Sequence, residues 1–206
     1  MLFRSSLSVF AHAEIFQLPT ANRALFEPGG EERFFSPTPG KTWESGTFGC
    51  VRSDGHQLHE GLDIKWTQRD RKGEPTDPVL ASASGTVVYV NRKSGLSNYG
   101  NYLVLRHRIE GLEICTLYAH LASIREDLHA GSAVKAGEPL GVMGRTSNTR
   151  ARIAAERAHV HFEIDFIASE HYAAWHEAHL AGMRNDHGNW NGHNLLGIDP
   201  RALLLQ

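Results

Sequence analysis

Five side chains in this sequence stand out for what they could do together. His59-Glu60-Gly61-Leu62-Asp63 sets a histidine and an aspartate four apart, with Leu62, Ile64 and Trp66 alternating between polar positions. If the stretch is extended, even spacing sends His59 and Asp63 to one face and the apolar set to the other. His159-Val160-His161-Phe162-Glu163-Ile164 repeats with strict period two, so His159, His161 and Glu163 face one way and Val160, Phe162 and Ile164 the other. Thr116-Leu117-Tyr118-Ala119-His120-Leu121 ends a strand-like run with a single histidine. Taken together the three pieces hold the inventory of a catalytic zinc site: three protein ligands of N and O type, an open position for water, and two spare histidines. The first string is not the helical His-Glu-x-x-His motif, because its fifth position is Asp63 and Gly61 is a poor helix-interior residue.

The elements that must position these residues read as mainly β. From residue 46 to 167 short β-branched and apolar runs alternate with Gly, Asn and Pro, which predicts a small antiparallel sheet. The expected strands are Leu58 to Trp66, Val79 to Val90, Tyr102 to Arg108, Leu112 to Tyr118, Ala133 to Met143 and Val160 to Ile167. Ile109-Glu110-Gly111 is a tight connection whose Gly can take positive φ, so the third and fourth strands should form a hairpin that delivers His120 to one end of the sheet. The glycines of Ala130 to Gly141 suit sharp corners in a folded-over sheet, as in a biotinyl or lipoyl domain. A carrier of that kind needs a modifiable lysine at a hairpin tip, a setting that neither Lys93 nor Lys135 has.

Residues 1–45 are irregular and rich in turn formers, notably Pro28-Gly29-Gly30 and Ser36 to Gly40. Residues 168–206 are expected to pack on the core as a helix and tail, with Ser169 as N-cap, a helical pattern from Glu170 to Ala181 and Gly182 as its stop. Within the tail, His176 and His179 lie i, i+3 on that helix, a spacing compatible with metal binding, although a solvated helix face is the expected reading.

Bulk properties exclude several classes. The 206 residues suffice for one full-sized core. An apolar fraction of 41% and a charged fraction of 21% argue against a disordered chain. The formal charge of -2 makes no electrostatic case for nucleic acid or an anionic membrane. No stretch approaches the roughly 18 apolar residues of a transmembrane helix. The N-terminal run Leu7 to Phe10 followed by Ala11-His12-Ala13 resembles an incomplete export signal or a frayed terminus. Cys50 and Cys115 cannot build a cysteine-type zinc site; they are buried free thiols or, in an exported protein, a disulfide.

Six blocks occurring in order over about 120 residues resemble the lysostaphin-type (LytM) zinc endopeptidases. They are Leu58 to Ile64, Pro78 to Val88, Tyr99 to His107, Thr116 to Leu121, Val134 to Gly144 and His159 to Glu163. The resemblance implies a folded-over antiparallel sheet of the duplicated hybrid motif kind, with a zinc ion (Zn2+) held by His59, Asp63 and His161. His120 and His159 would stand beside it as catalytic histidines, one as base and one stabilising the oxyanion, in an order the residues leave open. It further implies hydrolysis of peptide bonds in peptidoglycan stems or cross-links, outside the cytoplasm. The alternative is a module of the same fold that binds the wall or activates another hydrolase without chemistry of its own. In place of the compact Gly- and Pro-containing turn usual before the paired histidines stands Ser147 to Ala158, a helix-prone insert that either covers the cleft or lies in solvent.

Overall fold

The computed structural model describes residues 16–52, 55–149 and 153–206. The export-signal-like start, and Arg150 to Arg152 of the insert, lie outside the described residues. The architecture is mainly β and antiparallel. Before the sheet come a short helix α1 (Glu31–Phe34) and two 3-10 turns at Ala24–Phe26 and Trp43–Gly46. Twelve strands follow among the described residues: β1 (Val51–Arg52), β2 (Gln57–Leu58), β3 (Leu62–Lys65), β4 (Pro78–Leu80), β5 (Gly85–Asn91), β6 (Tyr102–Ile109), β7 (Leu112–Ala119), β8 (Ser123–Ile124), β9 (Ala133–Val134), β10 (Pro139–Val142), β11 (His159–Ile167) and β12 (Leu195–Ile198). Helix α2 (Tyr172–His179) precedes β12, and α3 (Pro200–Leu204) follows it.

The main sheet runs β12-β11-β7-β6-β5-β9, and β3 also pairs with β11. Strand β11 is its hub. One edge bonds to β7, while β3 takes residues 159–162 and β12 takes residues 164–167. A second sheet, β4-β10-β8, folds against it, and β1 and β2 form a two-stranded ribbon. Two of the expected long strands are therefore each split between the sheets: Val79 to Val90 becomes β4 and β5, and Ala133 to Met143 becomes β9 and β10. A turn at Gly137, whose φ is +76°, makes the second of these breaks. The expected β6–β7 hairpin forms, with Ile109 joining the strand opposite Leu112 so that the connection shortens to Glu110 and Gly111, at φ +50° and +85°. Two consecutive positive φ values are those of a type I′ turn, whose twist matches that of the strands it joins.

The expected strand Leu58 to Trp66 is interrupted at His59–Gly61. Gly61 crosses β11 so closely that a Cβ there would stand 2.3 Å from the Phe162 carbonyl oxygen. The chain turns off one ribbon and onto another sheet within three residues, and only glycine fits the crossing.

One large apolar cluster holds the fold, with Leu62, Ile64, Leu103, Leu105, Tyr118, Phe162 and Ile164 fully buried. The lead-in belongs to it: Phe34 and Phe35 pack edge to face at 4.9 Å and are completely buried. Phe35 bridges to Ile64, and Ser36 N–H donates to the Asp63 carbonyl at 2.8 Å, so the lead-in clamps β3. Burying each such ring removes roughly 150–250 Å² from water, worth about 1.5–3 kcal/mol.

The tail departs from expectation in two respects. Helix α2 starts at Tyr172 without a side-chain cap, and Ser169 Oγ instead accepts from His171 N in a local turn. Leu195 to Ile198, expected only as part of the tail, is a strand that completes the edge of β11. In the insert, Ala155–Arg157 forms a single 3-10 turn rather than an α-helix.

Candidate metal centre

Strand β11 places alternate side chains as its period predicts. Val160, Phe162 and Ile164 are fully buried in the apolar cluster, and His159, His161, Glu163 and Asp165 share the other face. In register, His161 lies opposite Asp63 on one neighbour and opposite Ala119 on the other. The methyl group of Ala119 leaves room above the sheet for the imidazoles.

Three atoms meet there. His59 Nε2 lies 3.0 Å from Asp63 Oδ1 and 3.0 Å from His161 Nδ1, and the last two are 2.9 Å apart. The opposite end of each side chain is already engaged. His59 Nδ1 is 2.7 Å from the Thr47 carbonyl, Asp63 Oδ2 accepts from Arg52 Nη2 at 2.7 Å, and His161 Nε2 is 2.6 Å from Glu163 Oε1. A carbonyl or a carboxylate can only accept, so each imidazole carries its proton on the outer nitrogen. In the neutral state three lone pairs then point at one another at hydrogen-bond distance with no proton between them. That arrangement is repulsive unless a cation sits among them.

The electrostatics carry the same demand. Burial pushes the Asp63 carboxyl up, but His59, His159 and His161 outweigh it and hold it well below the usual carboxylate range. Burial lowers His161, yet Asp63 and Glu163 override this and, with no metal present, push it up to about 10. Without a metal, a proton supplies the positive charge. Two imidazoles and one carboxylate within 3.0 Å of one another fit a small divalent ion bound at about 2.0–2.2 Å, and the N2O donor set suits zinc. Among the described residues this is the one group of three or more such side chains able to share an ion.

The two remaining histidines stand beside the triad. His159 Nε2 is 3.5 Å from Asp63 Oδ1, and its Nδ1 donates to the Arg157 carbonyl at 2.6 Å. His120 packs edge to face on His159, ring centres 4.8 Å apart, and its Nδ1 donates to the Thr146 carbonyl at 2.9 Å. Burial lowers the pKa of both, and for His120 the neighbouring His159 and His161 lower it further. Both are therefore neutral near pH 7 with a free Nε2 lone pair. His120 holds φ at +63°, a conformation that non-glycine residues adopt at a cost of roughly 1–3 kcal/mol.

All five residues picked out in the sequence thus come together. Sequence reasoning put Glu163 on the right face without giving it a task, and it missed the role of Tyr99, whose hydroxyl donates to the same Glu163 oxygen at 2.8 Å. Arg52 and Thr47 gave no signal, because each acts through a contact made only on folding. Behind Glu163, Asp165 is fully buried, and burial and the Glu163 charge hold its carboxyl well above its ordinary range. The triad opens into a cleft of about 370 Å³ lined by His59, His120, His161, Ser97, Tyr99 and His187. His176 is buried and His179 lies against Trp175 with the rings tilted and their centres 5.4 Å apart; among the described residues neither joins a metal group. Cys50 and Cys115 are free thiols.

The family model described as Peptidase family M23 matches residues 57–173, more than half of the chain. The DD-carboxypeptidase/endopeptidase Mpg of Neisseria meningitidis serogroup B is 35% identical over 107 residues, 52% of this chain and 20% of that protein. The murein hydrolase activator NlpD of Escherichia coli K12 is 33% identical over 132 residues, 63% of this chain and 27% of that protein. The chain therefore spans about a fifth to a quarter of the length of these relatives. Among solved structures, the catalytic domain of the antimicrobial peptidase lysostaphin from Staphylococcus simulans aligns with a TM-score of 0.48 at 20% identity, covering 78% of this chain and 90% of that one.

Proposed function

This chain belongs to peptidase family M23, and on that premise we propose that it is a zinc-dependent endopeptidase hydrolysing peptide bonds in peptidoglycan stems or cross-links. The observation that carries the reading is the convergence of His59 Nε2, Asp63 Oδ1 and His161 Nδ1, each with its far end already hydrogen-bonded and its lone pair free. We assign these three as ligands. Bound there, zinc supplies Lewis acidity, polarising a peptide carbonyl and acidifying water to a pKa near 7.

His120 and His159 move the protons. Each has its Nδ1 proton committed to a backbone carbonyl, so in the neutral form Nε2 can only accept. Whichever takes the proton of the attacking water becomes an Nε2–H donor, able to return that proton to the leaving amine or to stabilise the oxyanion. Asp63, 3.5 Å from His159 Nε2, favours the charged form of that histidine once it appears. Tyr99 and Glu163 orient His161 by fixing its outer nitrogen.

A wall substrate lies outside the cytoplasm, and we place the protein there. No helix among the described residues is long and apolar enough to cross a membrane. The likeness to a murein hydrolase activator supports a second reading, a module that stimulates another wall hydrolase. The complete set of five side chains favours the enzyme.

Mass spectrometry of peptidoglycan digested with the zinc-loaded protein tests this. New amino and carboxyl termini within the wall peptides are expected. Intact peptides in the presence of bound zinc would reject the peptidase reading, and stimulation of a second hydrolase under those conditions would establish the activator.

A further inference from the structure

Part of the cleft wall comes from residues 184–193, beyond the residues the family model matches. This stretch is anchored. Tyr102 Oη donates to the Trp190 carbonyl at 3.0 Å, Asn185 Nδ2 to the Gly188 carbonyl at 3.0 Å, and Asn194 Nδ2 to the Asn189 carbonyl at 2.8 Å. Within it His187 is 94% buried, its Nδ1 is 2.8 Å from the Tyr89 hydroxyl, and its ring stands edge-on to Tyr102 with centres 5.1 Å apart. Its Nε2 has no hydrogen-bond partner among the described residues. Ser97, in the turn before β6, is in the same state. Its carbonyl accepts from Gly100 N and Asn148 N, which fixes the residue, while its buried Oγ has no partner among the described residues.

Buried polar atoms in folded proteins are almost always paired, so two unpaired ones on residues that line a cleft call for an explanation. Both residues line the cleft that His59, His120 and His161 open into. We propose that His187 and Ser97 form a subsite that hydrogen-bonds backbone amide groups of the bound wall peptide, so that the C-terminal tail takes part in substrate recognition. The inference rests on the peptidase reading given above.

Chemistry and reach agree with a peptide ligand. Burial lowers the pKa of His187 against the pull of Asp186, so the ring is neutral and offers one N–H or one lone pair. A hydroxyl offers both. Neutral partners of this kind suit amide N–H and C=O groups, which an extended peptide presents at every residue, better than they suit a carboxylate. Ring-to-ring steps of 5.1 Å from His187 to Tyr102, 5.1 Å to Tyr99 and 5.8 Å to His161 keep the subsite within reach of the metal-ligand cluster. An extended peptide of no more than about five residues spans that path.

The test is calorimetric titration of purified muropeptides into the zinc-loaded full chain carrying His120→Ala, which removes a catalytic histidine. His187→Phe and Ser97→Ala, added singly, should each weaken binding about 5- to 20-fold, with zinc content unchanged, while His187→Gln stays within about threefold. Ser97→Ala leaves the Tyr89–His187 contact intact and carries the test if His187→Phe fails to fold. Muropeptide binding equal to that of the parent in the Ser97 and His187 variants would overturn the subsite and leave the peptidase reading standing. Absence of muropeptide binding by the parent itself would overturn both.

Discussion

His161 and Glu163, two residues apart on one face of β11, share a 2.6 Å hydrogen bond from Nε2 to Oε1. The bond dictates which imidazole nitrogen is free, since the proton must sit on the side of the carboxylate. Glu163→Gln keeps an acceptor but removes the charge that raises the basicity of the ring. Metal affinity should fall about 10- to 100-fold, as for outer partners of metal-bound histidines in general. Competition with a zinc chelator measures it, and unchanged affinity would remove Glu163 from the account.

Gly61 predicts a steric failure. A Cβ at this position would meet the Phe162 carbonyl at 2.3 Å and the Glu163 side chain at 2.9 Å, both belonging to the strand that carries the site. Gly61→Ala should therefore destabilise the fold by roughly 2 kcal/mol or more and displace His59 and Asp63 from β11. Denaturant unfolding and metal content should decline together. A variant of native stability and full zinc occupancy would show that the crossing tolerates a methyl group.

The pH dependence of the metal-free protein follows from the same groups. The folded pKa of His161, about 10, lies above its unfolded value of about 6.5, so between these the native state holds more protons. That contribution to stability is complete below about pH 6.5 and is lost as the pH rises toward 10. His120 and His159 are depressed, so below about pH 6.5 the unfolded chain binds more protons and stability falls as the pH drops. Asp63, also depressed, adds a further loss below about pH 4. With zinc held by His59, Asp63 and His161, no proton would be needed on His161, and the alkaline side should flatten. Melting curves of chelator-treated and zinc-loaded protein from pH 5 to 10 check this, and parallel profiles would contradict it.

The catalytic assignment makes a separate demand. His120→Ala and His159→Ala should each lower kcat about 10²- to 10⁴-fold on a wall peptide, the range for loss of a positioned acid or base. Steady-state kinetics on muropeptides decides, and a variant within threefold of the parent would lose its assigned role.

How far the sequence carried these conclusions depended on whether the signal was local. Strand β11 and the β6–β7 hairpin were legible because period-two burial and a short Gly-containing connection are written in consecutive residues. The break at Gly61 was not, because the backbone it crosses is about 100 positions away. The pairing of β12 with β11 and the splitting of β4 from β5 are likewise decided by which edge is free after folding, a non-local matter. At the site, residue type and spacing singled out His59, Asp63, His120, His159 and His161 only as a set, and their separate roles came from the resemblance to the lysostaphin-type endopeptidases. Thr47, Arg52 and Tyr99, which orient or neutralise them, are common residue types that acquire meaning only from position.

Metal analysis of the purified protein and its His161→Ala and His159→Ala variants tests the central claim most directly. About one zinc per chain is expected in the parent and in His159→Ala, and almost none in His161→Ala, because only the second substitution removes a ligand. Full zinc occupancy in His161→Ala, or its loss in His159→Ala alone, would contradict the assignment of His59, Asp63 and His161 as the metal-binding set.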